Sequence, residues 1–363
     1  MSETTFQEGS VFGQVVKNEH EQVVFCYDKA SGLKAIIAVH NTVLGPAAGG
    51  TRMWMYKNEA DALNDVLRLS RGMTLKNSVA GINLGGGKAV IIGNSRTDKS
   101  EALFRSFGKY VNSLAGKYIT AEDVGIGTSD MEYVGMETEH VSGLPESMGG
   151  GGDPSPVTAY GVYLGMKASA KKAYGSDSLT GKKVSVQGVG HVGEHLVERL
   201  TNENATVYIS DINEDSLKQV SEKFGATVVN KDEIYDLDVD IYAPCALGAT
   251  INNDTLQRLK CDIVAGAANN QLRDETVHAN ACKDKNIIYA PDFLINSGGI
   301  INVYYEIIKS YNRDRAFAHT EKIYDTTLEL FKKAEEENIN THEAAVRIAL
   351  KRIEDVGRLK TTF

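Results

Sequence analysis

Val184–Asp211 reads VSVQGVGHVGEHLVERLTNENATVYISD, and the fold of the chain turns on this stretch. Val184 to Gln187, with valines alternating with polar residues, predicts a short strand. Gly188, Gly190 and Gly193 follow in GxGxxG spacing, and the residues to Leu200 carry helical periodicity. A second strand is predicted at Thr206 to Ser210, ending at Asp211. The three glycines serve different physical ends, since Gly188 permits a tight turn, Gly190 lets a pyrophosphate come against bare backbone, and Gly193 lets helix and strand pack closely. The helix N-terminus would offer free N–H groups and the positive end of its dipole to phosphates. Gly188, Val189, Gly190, His191, Val192 and Gly193 therefore form the expected dinucleotide cradle. Asp211 lies roughly 20 residues beyond the first glycine, where a carboxylate accepts hydrogen bonds from both ribose hydroxyls and repels a 2′-phosphate. With no arginine beside it, the reading favours NAD over NADP. The alternative is a glycine turn in an α/β domain that binds nothing; the flanking strands and helix argue against it.

Downstream, strands are predicted at Ala226 to Val229, Val239 to Ala243, Asp262 to Ala265 and Ile287 to Tyr289. Short apolar strands alternating with helices are the mark of a parallel sheet. Each strand gives way to a loop of small residues, APCALG, GAANNQ or APDFLINSGG, expected on one rim of that sheet. Asn269 and Asn270 both donate and accept hydrogen bonds, which suits a nicotinamide carboxamide or a substrate amine. Thr158, on a helix predicted over Thr158 to Lys172, and Ala243 join Asn269 in the expected cofactor-contacting set. Asn340 followed by Glu343 predicts a capped helix start, and the last helix is expected to return to the first domain.

Ser147 to Pro156, SMGGGGDPSP, is rich in glycine and proline and marks a domain boundary. The first half mixes strands, at Val23 to Tyr27 and Leu33 to His40, with a helix over Glu59 to Lys76. Leu44 to Trp54 is expected as a loop of small residues. The helix delivers Lys76 toward Gly85, Gly86 and Gly87, after which Lys88 precedes an apolar strand. A glycine triplet strips away side-chain bulk, so a small molecule would lie against backbone with a lysine at its edge. Burial and a second ammonium both lower a lysine pKa toward the roughly 7 to 8 useful to a general base. A strand at Tyr118 to Ala121 runs into Glu122 and Asp123, at the strand end where ligands of α/β folds bind. Capping of the next turn is the competing role for these acids.

The 363 residues favour two domains: residues 1–146 for substrate binding and oligomerisation, with residues from about 335 to 363 packed back on them, and residues 147–334 for the cofactor. The expected class is α/β, with an α/β substrate domain and a Rossmann-type doubly wound domain. A net charge of −9 argues against nucleic acid. No apolar run approaches the roughly 18 residues a bilayer span needs, and Met1 to Ser10 is polar. Cys26, Cys245, Cys261 and Cys282 form no CxxC, and the eight histidines no HExxH, so the expectation is a cytoplasmic protein without a metal.

Taken together, GPAAGGTRMW, GMTLKN, LGGGKAVI, TAEDVG, GDPSP, GVGHVG, GAANNQL and INSGGIINV resemble the glutamate, leucine, phenylalanine and valine dehydrogenase superfamily, in order over nearly the whole chain. The similarity is strongest to the leucine dehydrogenases. This resemblance implies NAD-dependent, reversible oxidative deamination of an L-amino acid to a 2-oxo acid and ammonia. It implies that Lys76 binds the α-carboxylate, that Lys88 is the catalytic lysine and that Asp123 shuttles protons. Either Asn270 or Asn269 would touch the amino group or the nicotinamide. Gly49 and Ala121 would line the substrate site, two lobes would close over it, and a homo-oligomer, often an octamer, is implied. Glutamate dehydrogenases are expected to carry lysine where this chain has Ala48 and serine where it has Val303. Here both are apolar, which favours an aliphatic or aromatic side chain. Leucine dehydrogenases usually have leucine rather than Ala48, so valine, isoleucine and phenylalanine stay open. Two other readings are a decarboxylating malic-type oxidoreductase, which would need a carboxylate cluster for a metal, and an NAD sensor that has lost its chemistry.

Overall fold

The computed structural model describes residues 10–360. They divide into two compact units: one runs up to Gly152 and takes in Val303–Tyr311 and the chain from Leu350 on, and the other is Asp153–Asn302 with Asn312–Ala349. The chain thus changes unit within the glycine- and proline-rich segment 147–156.

In the first unit, Gln22–Asp28 (β1) and Leu33–Asn41 (β2) form an antiparallel hairpin. The turn is set locally: Asp28 Oδ2 accepts from the backbone N–H and the hydroxyl of Ser31, and Gly32 takes a φ of +75°. Ala47–Ala48 (β3), Thr51–Trp54 (β4), Gly85–Ile92 (β5) and Tyr118–Ile119 (β6) complete a sheet of order β1-β2-β5-β3-β6, with β4 also paired to β5. Period-two alternation sorts its side chains. Ile37, Val39, Ala89 and Ile91 meet Leu103, Phe104, Phe107 and Val111 of the helix Glu101–Ser113. Ile36, Ala38 and Val90 meet Leu63, Val66 and Leu67 of the helix Glu59–Val79 on the other face. Lys88 lies opposite Ala38, on the Val90 face, beneath that second helix.

Two expectations need correction here. Leu44–Trp54 is not a plain loop; it carries β3 and β4, both parallel to β5. The glycine triplet lies inside β5, and its bare faces are filled by protein. A Cβ on Gly86 would sit 2.0 Å from Thr74 Oγ1 and 2.2 Å from Thr74 N, and one on Gly87 would sit 2.7 Å from the Tyr118 ring. The glycines let a helix and a neighbouring strand close on β5 and leave no open shelf for a ligand. Behind the same helix, His20 Nε2 lies 2.7 Å from Ser70 Oγ and His40 Nδ1 lies 2.8 Å from Thr74 Oγ1. The two rings meet edge-on with centroids 4.8 Å apart, and burial pushes both imidazoles down to about 4.

In the second unit, Lys183–Gln187 (β7), Thr206–Ser210 (β8), Thr227–Val228 (β9), Ile241–Pro244 (β10), Ile263–Val264 (β11) and Ile288–Tyr289 (β12) form one wholly parallel sheet. Its order is β12-β11-β10-β7-β8-β9. Counted from β7, that is the doubly wound 3-2-1-4-5-6 order, which reverses between β7 and β10. The strands are buried on both faces, as parallel strands covered by helices must be: Val184, Val186, Ile209, Ile241 and Ile263 on one face, and Ser185, Tyr242 and Val264 on the other.

The final helix, Thr341–Lys360, starts where Asn340 Oδ1 accepts from the N–H of Glu343 at 2.8 Å. Beyond Leu350 it belongs to the first unit: Arg352 donates to the carbonyl of Ile82 at 2.8 Å and to Asn83 Oδ1 at 2.9 Å. No helix among the described residues is long and apolar enough to cross a membrane.

Candidate active site

Lys88 is 5% exposed, and its Nζ lies 3.2 Å from Asp123 Oδ2. Thr51 N–H bonds to the Ala121 carbonyl at 2.8 Å, which draws the chain after β6 against β4 and brings Asp123 to Lys88. A Cβ on Gly50 would strike the Glu122 carbonyl at 2.4 Å, so a glycine is required for that approach. The ion pair is not isolated. Arg52 Nε meets the same Asp123 Oδ2 at 3.2 Å, while its NH1 reaches Asp65 Oδ2 at 3.0 Å. Asp65 also accepts from Tyr56 Oη at 2.7 Å. Burial raises the Asp123 carboxyl, but Lys88 and Arg52 more than offset it, so Asp123 is held below the usual carboxylate range. Neither Arg52 nor Asp65 was legible as a site residue in the sequence. Arg52 lies in TRMW and Asp65 on a helix, and only pairing of β4 with β5 brings them together.

Lys76 is half-buried in the last turn of the helix Glu59–Val79, three residues on from Met73, whose Cγ packs against Gly49. The Gly49 carbonyl accepts from the buried Tyr118 hydroxyl at 2.6 Å. Ala121 is half-buried, and Val303 is half-buried in the same unit. Ala48 is 1% exposed, closed over by the neighbouring strands.

The glycine loop of the second unit has the geometry a pyrophosphate needs. Gly188 has φ +103°, and a Cβ there would meet Ala246 at 2.7 Å. Gly193 lies so close to the loop that a Cβ would sit 2.1 Å from the Gly188 carbonyl. A Cβ on Gly190 would meet nothing within 4 Å, so the open approach is at the middle glycine. The helix His191–Asn202 begins there without a side-chain cap, leaving its first N–H groups to a ligand. Val189 is buried and offers only backbone, Val192 is half-buried, and His191 is exposed with Nδ1 3.5 Å from Asp153 Oδ2. Asp211 Oδ2 accepts from Val189 N–H at 2.7 Å and Oδ1 from Asn213 N–H at 2.9 Å, which fixes the carboxylate beside the loop.

Residues 20–140 match the model of the Glu/Leu/Phe/Val dehydrogenase dimerisation domain, and residues 149–213 and 209–360 match that of the Glutamate/Leucine/Phenylalanine/Valine dehydrogenases. The chain belongs to this dehydrogenase family. It is 53% identical to a leucine dehydrogenase of Thermoactinomyces intermedius over 97% of its own length and 96% of the relative's. It is 48% identical to a phenylalanine dehydrogenase of Lysinibacillus sphaericus over 92% and 89% of the two chains. The crystal structure of the L-tryptophan dehydrogenase from Nostoc punctiforme superposes with a TM-score of 0.84 at 46% identity, covering 96% of this chain and 99% of that one.

As a member of the Glu/Leu/Phe/Val dehydrogenases, the protein is an amino-acid dehydrogenase, an oxidoreductase that depends on a nicotinamide cofactor. The glycine loop, with its uncapped helix and open Gly190, fits such a dinucleotide. One expected contact needs correction: Ala243 is wholly buried within β10, because its position between β7 and β11 leaves it no accessible surface. The first exposed residue past that strand end is Ala246, which packs against Gly188 and which carries no signal of its own inside APCALG. Thr158 is half-buried, and its hydroxyl donates to the Pro154 carbonyl at 3.0 Å. Asn269 and Asn270 are both exposed but differ: Asn269 Oδ1 accepts from the buried Asn296 at 2.8 Å, whereas Asn270 holds a turn at φ +53°. Ile212, next to Asp211 and 91% exposed, is a further residue at this site that no motif announced.

Proposed function

We propose that the protein catalyses reversible, NAD-dependent oxidative deamination of L-leucine and other branched-chain L-amino acids to 2-oxo acids and ammonia. The buried Lys88–Asp123 ion pair carries the chemistry in this reading, and the 53% identity to a leucine dehydrogenase supports the substrate class. Gly188, Gly190, Gly193 and the first turn of the helix after them would hold the pyrophosphate, with Asp211 on the adenosine ribose; that acid supports NAD over NADP. Bound there, the nicotinamide supplies the acceptor for the hydride that leaves the substrate Cα.

The protein's own groups handle charge and protons. Lys76 holds the α-carboxylate by a charge-assisted hydrogen bond and so fixes the direction of the Cα–H. Asp123 takes a proton from the substrate ammonium, which must be neutral before hydride departs. Lys88 Nζ stands 3.2 Å from the Asp123 carboxylate, and its amine must be neutral to act on water. Once its proton has passed to solvent, Lys88 draws a proton from the water that attacks the carbon; Asp123 then returns its proton to the nitrogen, and the hydroxyl proton passes to solvent as ammonia leaves. As ammonium Lys88 also stabilises the developing oxyanion. Asn269 or Asn270 orients the amino group or the carboxamide. Ala48 and Val303, both apolar, leave a distal carboxylate without a partner and so select against glutamate.

A second reading, an aromatic L-amino acid as substrate, is favoured by the likeness to phenylalanine and tryptophan dehydrogenases and by the small Ala48. The match of residues 20–140 to a dimerisation domain supports a homo-oligomer, with an octamer as the proposed size. Four free thiols, each pushed up by burial where a shift is seen, support a cytoplasmic setting. The test is NADH formation at saturating NAD with leucine, isoleucine, valine, phenylalanine, tryptophan and glutamate. Highest kcat/KM for a branched aliphatic acid supports the proposal. Preference for an aromatic acid selects the second reading, and no NADH with any acid overturns both.

A further inference from the structure

We propose that Arg52 is a positioning residue whose permanent charge keeps Asp123 paired while Lys88 gives up its proton. This inference rests on the reading of Lys88 and Asp123 as the proton-handling groups.

The geometry carries it. Lys88 Nζ and Arg52 Nε both lie 3.2 Å from the same oxygen, Asp123 Oδ2. With Lys88 neutral, a carboxylate served by Lys88 alone would be left in a half-buried site without a counter-charge, and that penalty would oppose loss of the proton. A guanidinium cannot lose its own proton in this range, so Arg52 holds the carboxylate through both protonation states of Lys88. Arg52 is itself fixed from behind. It lies on β4 opposite Val90 of β5, on the face that carries Lys88, and its NH1 binds Asp65 Oδ2 at 3.0 Å. Asp65 is held by the Tyr56 hydroxyl at 2.7 Å. The fork is thus used in two directions, Nε to Asp123 and NH1 to Asp65, which an ammonium on a flexible stem cannot reproduce in full. The charged and titratable groups around Asp123 are Lys88 from β5, Arg52 from β4, Asp65 from the helix over it, Tyr56, the buried Tyr118 from β6, and its neighbour Glu122. Lys88 and Arg52 match the charges of Asp123 and Asp65, and Glu122 is exposed to solvent. When Lys88 is deprotonated, Arg52 is the cation that remains on Asp123.

Removing a fixed cation raises the pKa of a neighbouring amine and of a neighbouring carboxyl together. The experiment compares wild type, Arg52→Gln and Arg52→Lys in two readouts: the pH profile of kcat/KM for leucine oxidation, and the carboxyl titration of Asp123 by 13C NMR in ligand-free protein, assigned with Asp123→Asn. In Arg52→Gln the acid limb of the profile should move up by about one pH unit, lowering kcat/KM roughly tenfold below it. The Asp123 titration should rise as well, and Arg52→Lys should restore most of both shifts. Arg52→Gln with an unmoved limb and unmoved Asp123, or Arg52→Lys as shifted as Arg52→Gln, overturns the proposal. If Arg52→Gln does not fold, wild type decides: Asp123 titrating at or above the ordinary carboxylate range overturns it. Wild type without turnover but with the NMR shifts present would instead remove the functional reading and leave the electrostatic role of Arg52 standing.

Discussion

The Asp211 carboxylate accepts a hydrogen bond from the Val189 N–H at 2.7 Å, so the acid that ends β8 braces the glycine loop that follows β7. The same carboxylate takes the Asn213 N–H through its other oxygen. Asp211 therefore has a structural duty beside the proposed ribose contact. In Asp211→Ala, discrimination against NADP should fall and the unit should lose roughly 1–3 kcal/mol with two backbone donors unserved. The ratio of kcat/KM for NAD and NADP, read with a thermal unfolding curve, checks both. Unchanged discrimination would place ribose recognition on another residue.

Lys88→Ala should lower kcat by roughly 10²–10⁴-fold. NADH binding, followed by its fluorescence, should stay as in wild type, because the glycine loop belongs to the other unit. A variant with substantial kcat removes Lys88 from the mechanism.

Gly86 and Gly190 should respond in opposite ways to one added methyl group. Gly86→Ala drives a Cβ into the Thr74 backbone, so about 3 kcal/mol or more of stability should be lost. The Cβ of Gly190→Ala meets no protein atom within 4 Å, so Tm should hold while NADH affinity falls. Equal Tm values for the two variants would contradict the packing described for β5.

Acid should weaken the first unit through its paired histidines. Both rings are held neutral, down to about 4 against an ordinary 6.5. The unfolded chain therefore takes up protons first, and stability present above pH 6.5 is lost as pH falls toward 4. At about 1.4 kcal/mol per pH unit, the loss is at most roughly 3 kcal/mol for each ring. Urea unfolding from neutral pH down to about 4 should show it, and replacing His20 and His40 with glutamine should flatten the slope in that window.

What the sequence determined by itself was local. The Val184–Asp211 stretch encodes turn, close approach and strand end within one continuous run, so its glycines and Asp211 announce a nucleotide fold before any long-range contact is known. The alternation of strand and helix after it implies a parallel sheet for the same reason. Resemblance across the spaced motifs added the proposed roles of Lys76, Lys88 and Asp123. Tertiary structure alone decided what surrounds them. Arg52, Asp65, Lys88 and Asp123 come from β4, a helix, β5 and the segment after β6, and no spacing rule joins positions drawn together by strand pairing and helix packing. The glycines of β5 make the same point: a glycine reads alike in sequence whether a ligand or Thr74 fills the space beside it, and only the packed neighbours decide which.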